Sequence, residues 1–154
     1  TPLYSSAASD VYKRQARVAF TGQPIRLAAA RFTDRAQAGG GVAVELVWQI
    51  DGIITADEKV FVHLVAANGE LVAQHDTRPA GEGRPTPILS PDEIVVDRHG
   101  IGLPAEVYGP LAIRVGLYDA TTGDRLQLKA CPEPSRRDGA DFVTIGTVLI
   151  DDSP

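Results

Sequence analysis

The sequence predicts an all-β protein, an immunoglobulin-like antiparallel β-sandwich of about eight strands. Apolar and polar residues alternate over short segments, which is the period of a half-buried strand. Asn68-Gly69 separates two apolar segments within residues 60–76, and this dipeptide is the strongest short-range signal for a hairpin. No window of useful length has the 3.6-residue period of a helix. Turn residues recur between the strands at the spacing that is typical of a two-sheet sandwich.

The strands predicted in the first part of the domain follow one another closely. Residues 17–20 and 25–32 flank a turn at 21–24, and the glycine-rich segment 38–41 leads into a strand over 42–50. Alternate residues of this last strand are apolar, so one face is expected in the core and the other in water. The apolar face consists of Val42, Val44, Leu46, Trp48 and Ile50.

The hairpin follows a loop that is predicted over residues 51–58. Its first strand is apolar on both faces, which predicts a central position in a sheet. Its second strand, 71–75, is shorter and more polar. His63 lies among apolar neighbours, so a half-buried histidine with a packing role is favoured over a catalytic base or a ligand.

The second part of the chain begins with a long loop over residues 77–92. Its prolines and glycines exclude a central strand or a helix, and loops of this length are often functional or mobile. Strands are predicted over 93–99 and 111–118. Residues 125–128 are predicted to pair with the latter in a second hairpin, and a strand over 142–150 closes the domain.

Composition excludes several classes of protein. The 154 residues carry a net charge of -5 and scattered basic residues, so a nucleic-acid surface is not expected. Cys131 is the only cysteine, which excludes an intrachain disulfide. No apolar run approaches the ~20 residues that a transmembrane helix needs. Met is absent throughout, and we therefore expect a metagenomic fragment of something longer.

Two segments look foreign to the domain. Residues 1–15 end in DVYKRQ, which resembles the translation of a sequencing-library adapter, and they are expected to be non-native; the alternative is a disordered tail or short turn. Residues 129–139 contain ACPEPSRR, which resembles translated copies of a small repetitive DNA element, or else form a plain surface loop. Either interpretation makes Cys131 a poor nucleophile. A single domain over 16–150 remains.

Three segments in order carry a resemblance to one known family. They read VFVHLVAANGELVAQHD, PTPILSPDEIVVDRHGIGLP and LAIRVGLYDATTGDRLQL. Together they resemble the C-terminal β-sandwich of bacterial membrane glycosyltransferases of the dolichyl-phosphate-mannose mannosyltransferase type. The resemblance implies an accessory domain on the extracytoplasmic side, whose partner is a transmembrane region that is missing here and holds the sugar-transfer site. No catalytic residue carries over, and Ile88-Leu89 stand where the family usually has an aromatic residue.

The densest polar clusters lie at the ends of two predicted strands. They consist of His75, Asp76, Asp97, Arg98 and His99. If the two strands are neighbours, these groups could converge and bind a sugar or a metal, because carboxylate and imidazole suit either. A structural ion pair of Asp97 or Asp76 with Arg98 is favoured over that ligand surface. The irregular spacing is not a metal motif of the HExxH kind.

Three functions follow from these observations. The first is a non-catalytic accessory domain with no cofactor and no catalytic residue. The alternative is a carbohydrate-binding module of a secreted or cell-surface protein, for which Tyr108 and Tyr118 are better placed than Trp48, although aromatic residues make up only 6% of the chain. The third is a hydrolase built on the two polar clusters.

Overall fold

The computed structural model describes residues 11–129 and 141–151, and this part of the chain is all-β. In these described residues nine strands lie in two sheets, so the predicted sandwich is confirmed. The strands are β1 (Val11–Ala19), β2 (Ile25–Thr33), β3 (Arg35–Gln37), β4 (Gly41–Ile50), β5 (Glu58–Ala66), β6 (Leu71–Thr77), β7 (Ile94–Gly102), β8 (Leu111–Asp119) and β9 (Val143–Asp151). A 3₁₀ turn covers Thr86–Ile88. Within these residues no helix has the length and apolarity that a bilayer crossing requires.

The two sheets have different strand orders. The four-stranded sheet runs β1-β2-β4-β7, and the five-stranded sheet runs β3-β9-β8-β5-β6. All neighbours are antiparallel except β3 and β9, which pair in parallel. The sequence did not predict β3, because three residues are too few to display a period. The strands β6 and β7 are edge strands, one in each sheet.

The core lies between the sheets and consists of their inward apolar side chains. The predicted apolar face of β4 is entirely buried, and Trp48 is 0% exposed. This confirms that Trp48 is a core residue rather than a sugar platform. Strand β5 lies between β6 and β8, and Phe61 and Val65 on its outer face are buried as well, so its predicted central position is confirmed.

The hairpin between β5 and β6 turns at Asn68-Gly69, as predicted. Gly69 has a φ of 88°, a left-handed conformation that favours glycine. The Asn68 side chain accepts a hydrogen bond from the backbone N–H of Glu70 at 2.9 Å. Turn and side chain together fix which residues of the two strands face each other.

The largest differences from the predicted strands lie at residues 125–128 and at the start of β1. Residues 125–128 form no strand, because this segment passes from the end of β8 to the end of β1 and makes only the single bridges Tyr118–Arg125 and Phe20–Leu128. Strand β1 begins at Val11, so residues 11–15 pair with β2 instead of forming the unstructured tail that was one interpretation. Their non-native origin stays a prediction. Residues 1–10 and most of the predicted insertion, with Cys131, lie outside the described residues.

Candidate functional site

Strand alternation separates the five predicted site residues. On β7, Asp97 and His99 point inward and are 3% and 2% exposed, whereas Arg98 points outward. On β6, His75 is half-buried opposite Val62 of β5, and Asp76 is exposed. The structure therefore brings three of the five together between the sheets and leaves two outside.

The three inward residues form a hydrogen-bonded chain that begins in the core. Trp48 Nε1 donates to Asp97 Oδ2 at 3.0 Å, and His99 Nε2 lies 2.8 Å from the same oxygen. His99 Nδ1 lies 2.8 Å from His75 Nδ1, with the two rings edge-on. The carboxylate of Asp97 can only accept hydrogen bonds, so the proton of His99 lies on Nε2 and is donated to Asp97. His99 Nδ1 is then unprotonated and accepts a hydrogen bond from the Nδ1–H of His75. We call these four residues the edge chain, because they join the edge strands β6 and β7.

The predicted ion pair of Arg98 with Asp97 or Asp76 is not formed, so this prediction was wrong. Arg98 Nε instead contacts Glu45 Oε2 on β4 at 3.1 Å, and Asp76 accepts a hydrogen bond from the Tyr118 hydroxyl at 2.9 Å. The inward orientation of Asp97 is the physical reason, since side chains at successive strand positions point to opposite faces. The structural role that was expected of an ion pair is filled by the edge chain.

The edge chain has the bonds of a structural network rather than those of a reaction centre. Its described hydrogen bonds join only tryptophan, carboxylate and imidazole groups, without a serine or cysteine nucleophile. In the residues that the structure covers, no group of three His, Cys, Asp or Glu side chains is arranged to hold a metal ion. A ligand role for these residues stays a prediction.

A second feature surrounds Tyr108, which lies in the loop after β7 and close to the hairpin between β5 and β6. Tyr108 is 82% exposed, and it lines two grooves of about 320 Å³ and about 220 Å³. Residues 66–72 and 104–108 contribute to the larger groove, including Asn68, Glu70 and Glu106. The exposure of Tyr108 was expected from the sequence. The grooves could not be predicted from the sequence, because they form between segments that lie far apart in the chain.

A third feature, which the sequence analysis missed, is the buried carboxyl of Glu58. This residue was predicted at the end of a loop, but it begins β5 and is only 1% exposed. Its Oε1 has no hydrogen-bond partner among the described residues. Burial raises the pKa of Glu58 to about 7, with further contributions from the negative charges of Asp119 and Asp57.

The neighbouring Asp57 has the opposite environment. Its carboxylate receives hydrogen bonds from Arg78 Nε at 2.9 Å and Arg78 Nη2 at 2.7 Å, and these bonds hold the pKa of Asp57 below its usual range. The long loop is tied down beside it, because Thr86 Oγ1 accepts from the backbone N–H of Glu58 and donates to the carbonyl of Ala56. The loop is thus anchored at the start of β5.

Comparison with known proteins gives a fold and no family. No family model and no curated protein sequence matches the chain. Among solved structures, the chain is similar to the crystallised C-terminal domain of Wzt, with a TM-score of 0.53 at 9% identity. The match covers 94% of this chain and 80% of that one. At this identity the likeness shows a shared β-sandwich fold alone.

Proposed function

We propose that this chain is a non-catalytic accessory β-sandwich domain that binds carbohydrate for a larger, membrane-anchored glycosyltransferase-like protein. The observation that carries the carbohydrate-binding part is the exposed Tyr108, which lines two grooves. A sugar ring has an apolar C–H face and a rim of hydroxyls. Tyrosine matches both, since it combines an aromatic face with a polar hydroxyl.

The groove beside Tyr108 supplies the polar groups that sugar hydroxyls need. Asn68 offers an amide donor and acceptor, and Glu70 and Glu106 offer carboxylate acceptors. A single exposed ring beside a shallow groove supports weak binding, with a dissociation constant on the order of millimolar, about -4 kcal/mol. Such binding becomes effective when the domain is tethered near its glycan, because tethering raises the effective concentration.

Two observations support the accessory role. The described hydrogen bonds of the edge chain include no nucleophile, and the similar Wzt domain is the C-terminal part of its protein. The three-segment resemblance supports a transmembrane glycosyltransferase region as the partner and an extracytoplasmic location. A carbohydrate-binding module of a secreted or cell-surface protein is the second candidate, and the same Tyr108 site supports it.

A glycan array followed by calorimetry tests the binding site. Wild-type protein and Tyr108→Phe, which keeps the ring, should bind the same neutral oligosaccharides. Tyr108→Ala loses the ring contact, so its affinity should fall about tenfold. Binding by Tyr108→Ala equal to wild type, or no binding of any glycan by wild type, would contradict the site.

The neighbouring DNA tests the parent protein separately. In the natural gene, the DNA that precedes the codon for residue 16 should encode several apolar spans of about 20 residues. An upstream secretion signal with no further spans would instead support the secreted carbohydrate-binding module.

A further inference from the structure

The outer face of the five-stranded sheet carries a row of polar side chains in register. His63 on β5 lies opposite Gln74 on β6 and opposite Arg114 on β8, and Arg114 lies opposite Thr144 on β9. Residues directly opposite in antiparallel strands have Cβ atoms about 4.5–5.5 Å apart. These four residues therefore form a continuous strip across four strands, which we call the polar band.

Arg114 is the member of the polar band with an incomplete set of contacts. Its guanidinium carbon lies 4.5 Å from the centroid of the Phe142 ring, so the planar group rests on an aromatic face. Its Nε is buried and has no hydrogen-bond acceptor in the part of the chain that is described. A buried donor without an acceptor is unfavourable. A movement of the side chain that opened the plane of the guanidinium would let an oxyanion satisfy it.

A second guanidinium lies on the same face as Arg114, although the chain as a whole has a net charge of -5. The guanidinium of Arg125 lies 4.3 Å from the Phe61 ring centroid, and His63 stacks on the same ring at 4.6 Å. Burial lowers the pKa of His63, and the charges of Arg125 and Arg114 lower it further, against the opposing effects of Asp76 and Gln74. His63 is therefore neutral at pH 7 and can both donate and accept a hydrogen bond.

The acidic groups on this face contact other partners. Asp76 accepts from Tyr118, and Asp141 Oδ1 lies 3.5 Å from Arg125 Nη1. Glu82 lies 3.8 Å from the ammonium of Lys59. Over residues 11–129 and 141–151, no carboxylate forms an ion pair with Arg114.

We infer that the polar band is a binding site for an oxyanion, a carboxylate or a phosphate group, carried by a larger ligand. Arg114 presents the paired N–H donors that match such a group, and its stacking on Phe142 holds them in place. Gln74 and His63 supply further hydrogen bonds along the row. The site shares no residue with the grooves at Tyr108, so it does not depend on the function proposed above.

Titration of the isotope-labelled chain, followed by backbone amide chemical shifts, tests this site. The probes are glucuronate, inorganic phosphate and glucose, which separate a carboxylate, a phosphate and a neutral sugar. One or both anions should shift the amides of His63, Gln74, Arg114 and Thr144, and glucose should not. The anion with the lower dissociation constant identifies the group that the site takes.

Variants at Arg114 then assign the effect to the guanidinium. Arg114→Gln should raise the dissociation constant of the preferred anion by about tenfold, and Arg114→Lys by about threefold, since it keeps the charge and loses the planar fork. The control is Arg98→Gln, which removes an exposed cation from the other sheet and should change binding by less than about twofold.

Anion binding that is unchanged in Arg114→Gln, or shifts of equal size with glucose, would overturn the inference. Thermal unfolding of each variant is measured in parallel. If Arg114→Gln is unfolded, Arg114→Lys decides the question, and wild-type affinity in that variant would also overturn it. Tyr108→Ala should leave anion binding intact, so the two sites can fail independently.

Discussion

Replacing Glu58 by glutamine should make the stability of this domain less dependent on pH. The carboxyl has a pKa of about 7 in the fold, against an ordinary value of 4.5 that we take for the unfolded chain. The folded state therefore binds more protons than the unfolded state between these pH values, and the group contributes a stability that falls as pH rises. The gap corresponds to about 3 kcal/mol, at about 1.4 kcal/mol for each pH unit.

The expected difference between the two proteins has a definite shape. Below a pH of about 4.5 the carboxyl is protonated in both states, so Glu58→Gln and wild type should differ by a constant amount. Between this pH and about 7, the free energy of unfolding of Glu58→Gln should rise relative to that of wild type. Above about 7 this relative increase should level off at up to about 3 kcal/mol. Titrating groups that do not interact with Glu58 affect both proteins equally and cancel in the difference.

Urea unfolding at four pH values between about 4 and 8, followed by the fluorescence of Trp48, measures this difference. Trp48 is a suitable reporter because it is fully buried. The matched control is Glu70→Gln, an exposed glutamate in the hairpin turn, whose difference from wild type should stay within about 0.5 kcal/mol at every pH. A Glu58→Gln difference that is equally flat would refute the argument that burial of this carboxyl is costly.

Two further substitutions test the packing. His99→Ala should destabilise the domain by about 3 kcal/mol, since it leaves the buried Asp97 with one hydrogen bond fewer, and a loss below about 0.5 kcal/mol in urea unfolding would show that the edge chain is dispensable. Gly116→Ala should cost about 1–3 kcal/mol in the same assay, because the new methyl group would overlap the Phe61 ring. Gly100→Ala, where no atom lies within 4 Å of the added carbon, is its control and should cost less than about 0.5 kcal/mol; equal losses in the two variants would contradict the packing argument.

The parts of the fold that could be predicted are those with a long period or a specific turn. Ten residues of β4 display a clear alternation, and Asn68-Gly69 specifies its hairpin locally. Strand β3 could not be predicted, because its pairing with β9 joins residues more than a hundred positions apart. Residues 125–128 had the composition of a strand, yet no neighbouring strand runs alongside them.

The buried polar groups were predictable in part. Asp97 and His99 share their alternation with the apolar Val95 and Ile101, so an inward orientation was implied by the same rule that predicted the strand. Glu58 likewise shares the phase of the inward residues of β5. Their partners were not predictable, because the contact of His99 with His75 depends on how the two sheets are stacked. The grooves at Tyr108 and the polar band depend on the same tertiary arrangement.

The bond between Trp48 and Asp97 has a consequence for misfolding. If β7 slipped by one position against β4, Arg98 would face the core, which is strongly unfavourable for an unpaired charge. A slip of two positions would keep the apolar face inward, so hydrophobic burial alone would tolerate it. It would however carry His99 about 7 Å away from His75 and remove Asp97 from its place beside Trp48. The edge chain thus disfavours a two-residue slip of β7 that the burial of apolar side chains alone would tolerate.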